Sequence, residues 1–141
     1  MNRNGYRQYN QVQIRTANKG KLIVMLYQGA IRFMKKALIL LEQRDMEGKG
    51  HNLIKAQDII LELLYALDQE MLDKGNELAL NLQRLYLYAY RRLVRANIDM
   101  DPAPVKEVIE LMANLLEAWE KVVGGQGERE EAASRGVAIT G

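Results

Sequence analysis

Between Asn18 and Val123 large aliphatic side chains recur every three or four residues, and no Ser, Thr or Cys falls anywhere in that span. Such spacing lines up apolar groups along one side of an α-helix, whose period is about 3.6 residues, and it does not fit the two-residue alternation of a half-buried strand. The chain therefore reads as all-α. Its 141 residues are enough to bury a single core without a covalent or metal staple, and with no Cys neither a disulfide nor a thiolate site is available.

Reactive groups are as scarce as strand signals. Nucleophilic catalysis needs a hydroxyl or thiol held against a base, yet Thr16, Ser134 and Thr140 all lie outside the helical span. A carboxylate-bridged metal pair inside a bundle needs Glu-x-x-His repeats, and the lone His51 has Gly48 at that spacing. His51 reads as a solvated residue opening the second helix, and Asp58 and Glu62, one turn apart, as a solvent-facing pair. No enzymatic activity, cofactor or metal is expected.

The segment 1–17 mixes Asn, Gln and Arg with Tyr6, Tyr9, Val12 and Ile14 and reads as an extended arm. Helices are predicted at about 18–44, 51–73, 76–97 and 102–123, with Asn18 as a first cap and Asp101-Pro102 as a cap and first helical position. The glycines of 45–50 read as a connection, and Gly75 as a stop. Residues 125–141, rich in Gly and charge, are predicted to be a disordered tail. Short connections favour antiparallel neighbours, so the expected architecture is an up-and-down four-helix bundle forming one domain over 1–124.

A bundle helix needs about three apolar positions in seven. The first helix exceeds this: beside the stripe Leu22, Leu26, Gly29, Phe33, Ala37 and Leu41 stands a second, Ile23, Tyr27, Ile31, Met34 and Leu38. The third helix likewise adds Tyr86, Tyr90 and Val94 to Leu82, Leu85 and Ala89. The surplus either fills the margins of the core or lines a groove that receives an amphipathic segment of a partner. Tyrosine suits a groove, because a broad apolar ring carries a hydroxyl that can stay wet. The candidate partner-binding residues are therefore Tyr6, Tyr9, Val12 and Ile14 of the arm, Ile23, Tyr27, Ile31 and Met34 of the first helix, and Tyr86 and Tyr90 of the third.

The formal net charge of +2 is too small to argue for nucleic acid or an anionic membrane. A local patch of Arg84, Arg91, Arg92 and Arg95 with Tyr88 supplies an alternative, a nucleic-acid-binding helical protein. A self-associating structural bundle is the other alternative. No stretch has the roughly 20 uninterrupted apolar residues that a bilayer demands.

The run Tyr6-Arg7-Gln8-Tyr9, then Val12, Thr16-Ala17, Leu22 and Met25-Leu26-Tyr27-Gln28-Gly29-Ala30-Ile31-Arg32-Phe33, resembles the opening of the flagellar secretion chaperone family FliS. Lys55-Ala56-Gln57-Asp58-Ile59-Ile60 with Glu62-Leu63, Leu82 with Leu85-Tyr86 and Tyr88, Arg91-Arg92-Leu93-Val94 with Ala96-Asn97, and Trp119 continue the likeness in order. Asn18-Lys19-Gly20 stands where that family commonly has Ser-Pro-Glu, and Gln28 where it commonly has Asp. The resemblance implies a cytoplasmic antiparallel bundle that binds the disordered C-terminal segment of flagellin one-to-one. It also implies that this chaperone prevents premature polymerisation of flagellin, aids its delivery to the flagellar type III export apparatus, and keeps the arm near the binding surface.

Overall fold

A computed structural model describes residues 19–140, with side chains described for all of these but Glu70 and 126–140. The described residues form five helices and no strand: α1 Lys19–Glu42, α2 Met46–Tyr65, α3 Gln69–Asp73, α4 Glu77–Asp99 and α5 Pro102–Thr140. The chain is an all-α bundle, as its periodicity requires.

Three of the four connections use one device, a left-handed residue followed by Asp or Asn. At the end of α1, Arg44 sits at φ 61°. Its N–H donates to Leu41 O, and the N–H of Asp45 donates to Leu40 O at 2.8 Å. These two bonds satisfy carbonyls that the helix end would otherwise orphan. Asp45 then opens α2, its Oδ1 accepting from Gly48 N–H at 2.9 Å. Gly75 (φ 74°) and Asn76 repeat the arrangement, with Asn76 N–H on Met71 O and Asn76 Oδ1 accepting from Ala79 N–H at 3.0 Å. Met100 (φ 52°) and Asp101 repeat it again, with Asp101 Oδ1 accepting from Ala103 N–H ahead of the α5 helix. One short polar side chain thus caps a new helix immediately where the last one closes, which keeps the turns tight.

This device corrects the expected start of the second helix, which lies at Met46 and not at 51. Gly48 looks like loop punctuation, but a Cβ there would stand 2.6 Å from Asp45 Oδ2, so glycine is what lets the cap close. The expected helix 51–73 is likewise two helices, since α2 ends at Tyr65 and Leu72 N–H restarts the ladder on Asp68 O. Leu63, Leu64, Leu67 and Leu72 keep helical spacing across that break, which hides it from periodicity. The last helix runs on to Thr140 instead of ending near 123. Gly124, Gly125 and Gly127 argued for a stop, but the run 128–133, Glu-Arg-Glu-Glu-Ala-Ala, is made of strong helix formers.

The chain divides into two compact units, one of residues 26–114 and one that joins the start of α1 to residues from 115 onward. The core of the first unit takes Tyr27, Ala30, Met34 and Ala37 from α1, Leu53, Ala56, Ile60 and Leu63 from α2, and Leu82, Tyr86, Ala89 and Leu93 from α4. Val105, Val108 and Met112 complete it from α5. Every set advances by the three- and four-residue steps of one helix face. Small residues bring the backbones close: a Cβ on Gly29 would lie 3.3 Å from Ile59 Cδ1. α2 packs along α4, where buried Lys49 donates from Nζ to Asn97 O at 3.1 Å and so places a cation at the negative end of the α4 dipole.

Candidate partner-binding surface

Both apolar stripes of α1 reach the core, Leu26, Gly29 and Ala37 of the first being buried beside Tyr27, Ile31 and Met34 of the second. Tyr27 and Met34 are wholly buried and Ile31 is nearly so, whereas Leu22, Phe33 and Leu41 of the supposed core stripe are half-buried. On α4 Tyr86 joins Leu82 and Ala89 in the core, while Leu85 is half-buried. The reason is polar satisfaction. Tyr27 and Tyr86 approach hydroxyl to hydroxyl at 2.5 Å, with ring centroids 6.2 Å apart and planes tilted by 56°. Each phenol therefore has a partner inside the core and needs no access to water. Burial, with Tyr27 beside it, pushes the Tyr86 phenol far above the usual tyrosine range.

Of the candidate lining residues, Tyr27, Ile31, Met34 and Tyr86 are thus buried in the free chain, and Tyr90 and Ile23 are half-buried. Tyr6, Tyr9, Val12 and Ile14 lie outside the described residues. A separate open furrow lies between α1 and α5. In the unit that holds the start of α1, Lys21, Val24 and Met25 face Glu120, Val123 and Gly124 across an almost wholly apolar cleft of about 450 Å³. Met25 is 48% exposed and neighbouring Val122 54% exposed. Periodicity missed this cleft because Val24 and Met25 sit within an unbroken apolar run, Leu22 to Tyr27, in which every helical phase is occupied. The signal that could have found it is the Val122-Val123-Gly124 step, where a branched apolar pair meets a residue with no side chain.

Two of the four arginines in the α4 patch are paired with carboxylates. Arg92 Nε sits 3.0 Å from Glu107 Oε1 and Arg95 Nε 3.1 Å from Asp99 Oδ2. Tyr88 donates its hydroxyl to Glu107 at 2.7 Å, and this bond, with that of Arg92, holds the Glu107 carboxyl below its ordinary range. The ring that a base would stack on is thereby tied to a carboxylate. His51 is exposed, and no cluster of potential metal ligands occurs among the described residues.

The family model of the flagellar protein FliS matches residues 2–126. The chain belongs to the FliS family.

Two relatives show how far that membership extends. The flagellar secretion chaperone FliS of Bacillus subtilis is 39% identical over 128 residues, covering 91% of either chain. That of Salmonella typhimurium is 42% identical over 123 residues, covering 84% of this chain and 89% of its own. A third, the Pseudomonas aeruginosa chaperone FliSB, is 38% identical over 120 residues. This FliS-family chain is accordingly a chaperone of flagellar export. The FliS match runs from before α1 to the glycine cluster within α5 and takes in both walls of the cleft, Lys21 to Met25 and Glu120 to Gly124. Among the described residues no helix is long and apolar enough to cross a membrane.

Proposed function

We propose that this FliS-family chaperone binds the disordered C-terminal segment of flagellin in the cytoplasm, keeps it from polymerising, and hands it to the flagellar type III export apparatus. The exposed apolar cleft of Val24, Met25 and Val123, in a chain with helices already closed around a core, carries this reading. A segment that is unfolded when free offsets its ordering cost by burying apolar anchors in such a furrow, and no catalytic group takes part.

In this reading Ile23 and Tyr90, half-buried, touch the client, and Tyr6, Tyr9, Val12 and Ile14 of the arm shield the apolar surface until the client displaces them. Tyr27, Ile31, Met34 and Tyr86, buried in the free chain, serve its core.

Titration of the isotope-labelled chain with a flagellin C-terminal peptide tests the proposal. A one-to-one complex with shifts centred on Val24, Met25 and Val123 is expected. A stable dimer indifferent to the peptide would refute it and return the chain to the self-associating class.

A further inference from the structure

The outer side of α1 has an electrostatic imbalance that the cleft does not explain. The helix carries Lys19, Lys21, Arg32, Lys35 and Lys36 against Glu42 as its one carboxylate, while the whole chain has a formal net charge of only +2. Arg32, Lys35 and Lys36 are all exposed and stand at i, i+3 and i+4, so they share one stripe of the helix. Among the described residues none of the three has a carboxylate within ion-pair distance, whereas Arg92 and Arg95 on α4 each hold one. Like charges one turn apart repel by a few tenths of a kcal/mol per pair, a cost α1 carries uncompensated. A fourth cation adjoins the stripe: Lys55 of α2 places Nζ 5.2 Å from the centroid of the Phe33 ring.

We propose that this face of α1, built on Arg32, Lys35 and Lys36 beside the Lys55-covered Phe33, docks an acidic polypeptide segment of a second protein, separately from the flagellin client. Its charge selects an anion, and three features select a polypeptide. The ring of Phe33 is occupied by a cation, so the face has no open platform for a base to stack on. The apolar side of α1 is spent on the core through Tyr27, Ala30 and Met34, and a lone exposed Ile39 on this face is too little to insert into a lipid surface. Ile39, 55% exposed and one turn beyond Lys35 on the same stripe, invites an apolar side chain between the carboxylates, which an acidic peptide supplies and a phosphate backbone does not.

The test uses the full chain and three probes: a short Glu- and Leu-rich peptide, phosphatidylserine vesicles and a single-stranded oligonucleotide. The peptide is expected to bind at low salt, to shift backbone resonances of residues 28–39, and to weaken as salt rises through the screening range. R32E/K35E/K36E is expected to lose about tenfold or more in peptide affinity, with K35Q/K36Q giving a smaller loss in the same direction, while R84E/R91E on α4 leaves it unchanged. Flagellin-peptide binding persists in all three variants, so failure here is distinguishable from failure of the client proposal. Absence of peptide binding, equal loss in the α4 variant, or tighter binding of vesicles or oligonucleotide would each overturn the assignment.

Discussion

The hydroxyl oxygens of Tyr27 and Tyr86 lie 2.5 Å apart inside the core, joining α1 to α4 across fifty-nine positions of sequence. Removing the Tyr27 hydroxyl takes from the Tyr86 hydroxyl its partner in a dry site, which costs about 1 to 3 kcal/mol, whereas removing both hydroxyls deletes that need along with the bond. Tyr27→Phe is therefore expected to destabilise the chain, and the double variant with Tyr86→Phe to cost at least about 0.5 kcal/mol less than the sum of the singles. Urea denaturation of the four proteins measures this. Additive losses would mean that the two phenols do not act as a pair.

The same burial predicts a pH dependence. Tyr86 in the folded chain holds its proton more tightly than in the unfolded one, where the phenol titrates near about 10. Its contribution to stability is complete below that pH and drains away as pH rises toward the folded value. The denaturation midpoint should fall above about pH 10, with a shallower fall in Tyr86→Phe. An identical alkaline slope in both proteins would remove Tyr86 as the cause.

The connections give a prediction in which propensity and geometry oppose each other. Replacing a helical Gly by Ala ordinarily stabilises by about 1 kcal/mol. At Gly48, however, the new Cβ would meet Asp45 Oδ2 at 2.6 Å and Leu40 Cδ1 at 3.0 Å, so loss of the cap should win and Gly48→Ala should lower the melting temperature. At Met100, held at φ 52°, glycine relieves a left-handed strain of about 1 kcal/mol, so Met100→Gly should raise it. Thermal melts of the two variants check the two signs directly.

Core and cleft should separate in mutagenesis. Leu93, fully buried on α4, should cost about 2 to 5 kcal/mol as Leu93→Ala. Met25→Asp changes a side chain that is 48% exposed, so stability should move by less than about 1 kcal/mol. If the client enters the cleft, flagellin-peptide affinity should nevertheless fall by about tenfold or more, since a charge would replace an apolar anchor. Calorimetric titration beside denaturation resolves the two effects, and an unchanged affinity in Met25→Asp would move the binding surface elsewhere.

The all-α class, two of the helix openings (Asn76 and Asp101-Pro102) and the poverty of reactive groups were legible in the sequence, because period, capping residues and composition are local properties. The Met-Leu-Tyr-Gln-Gly-Ala-Ile block, residues 25–31, was equally legible as a family likeness. What one chain of letters left open was whether the second apolar stripe on α1 turns inward beside the first. Both had helical spacing, and only the meeting of Tyr27 with Tyr86 settled it, since a hydroxyl satisfied by a distant residue makes a tyrosine a core residue. The cleft beside Val24 and Val123 was hidden for the same reason: it belongs to two segments nearly a hundred residues apart, and no local pattern records what faces what. Sequence determined the helices and their apolar surplus; tertiary packing decided where the surplus went, because burial and hydrogen-bond satisfaction are properties of pairs of elements and not of either one alone.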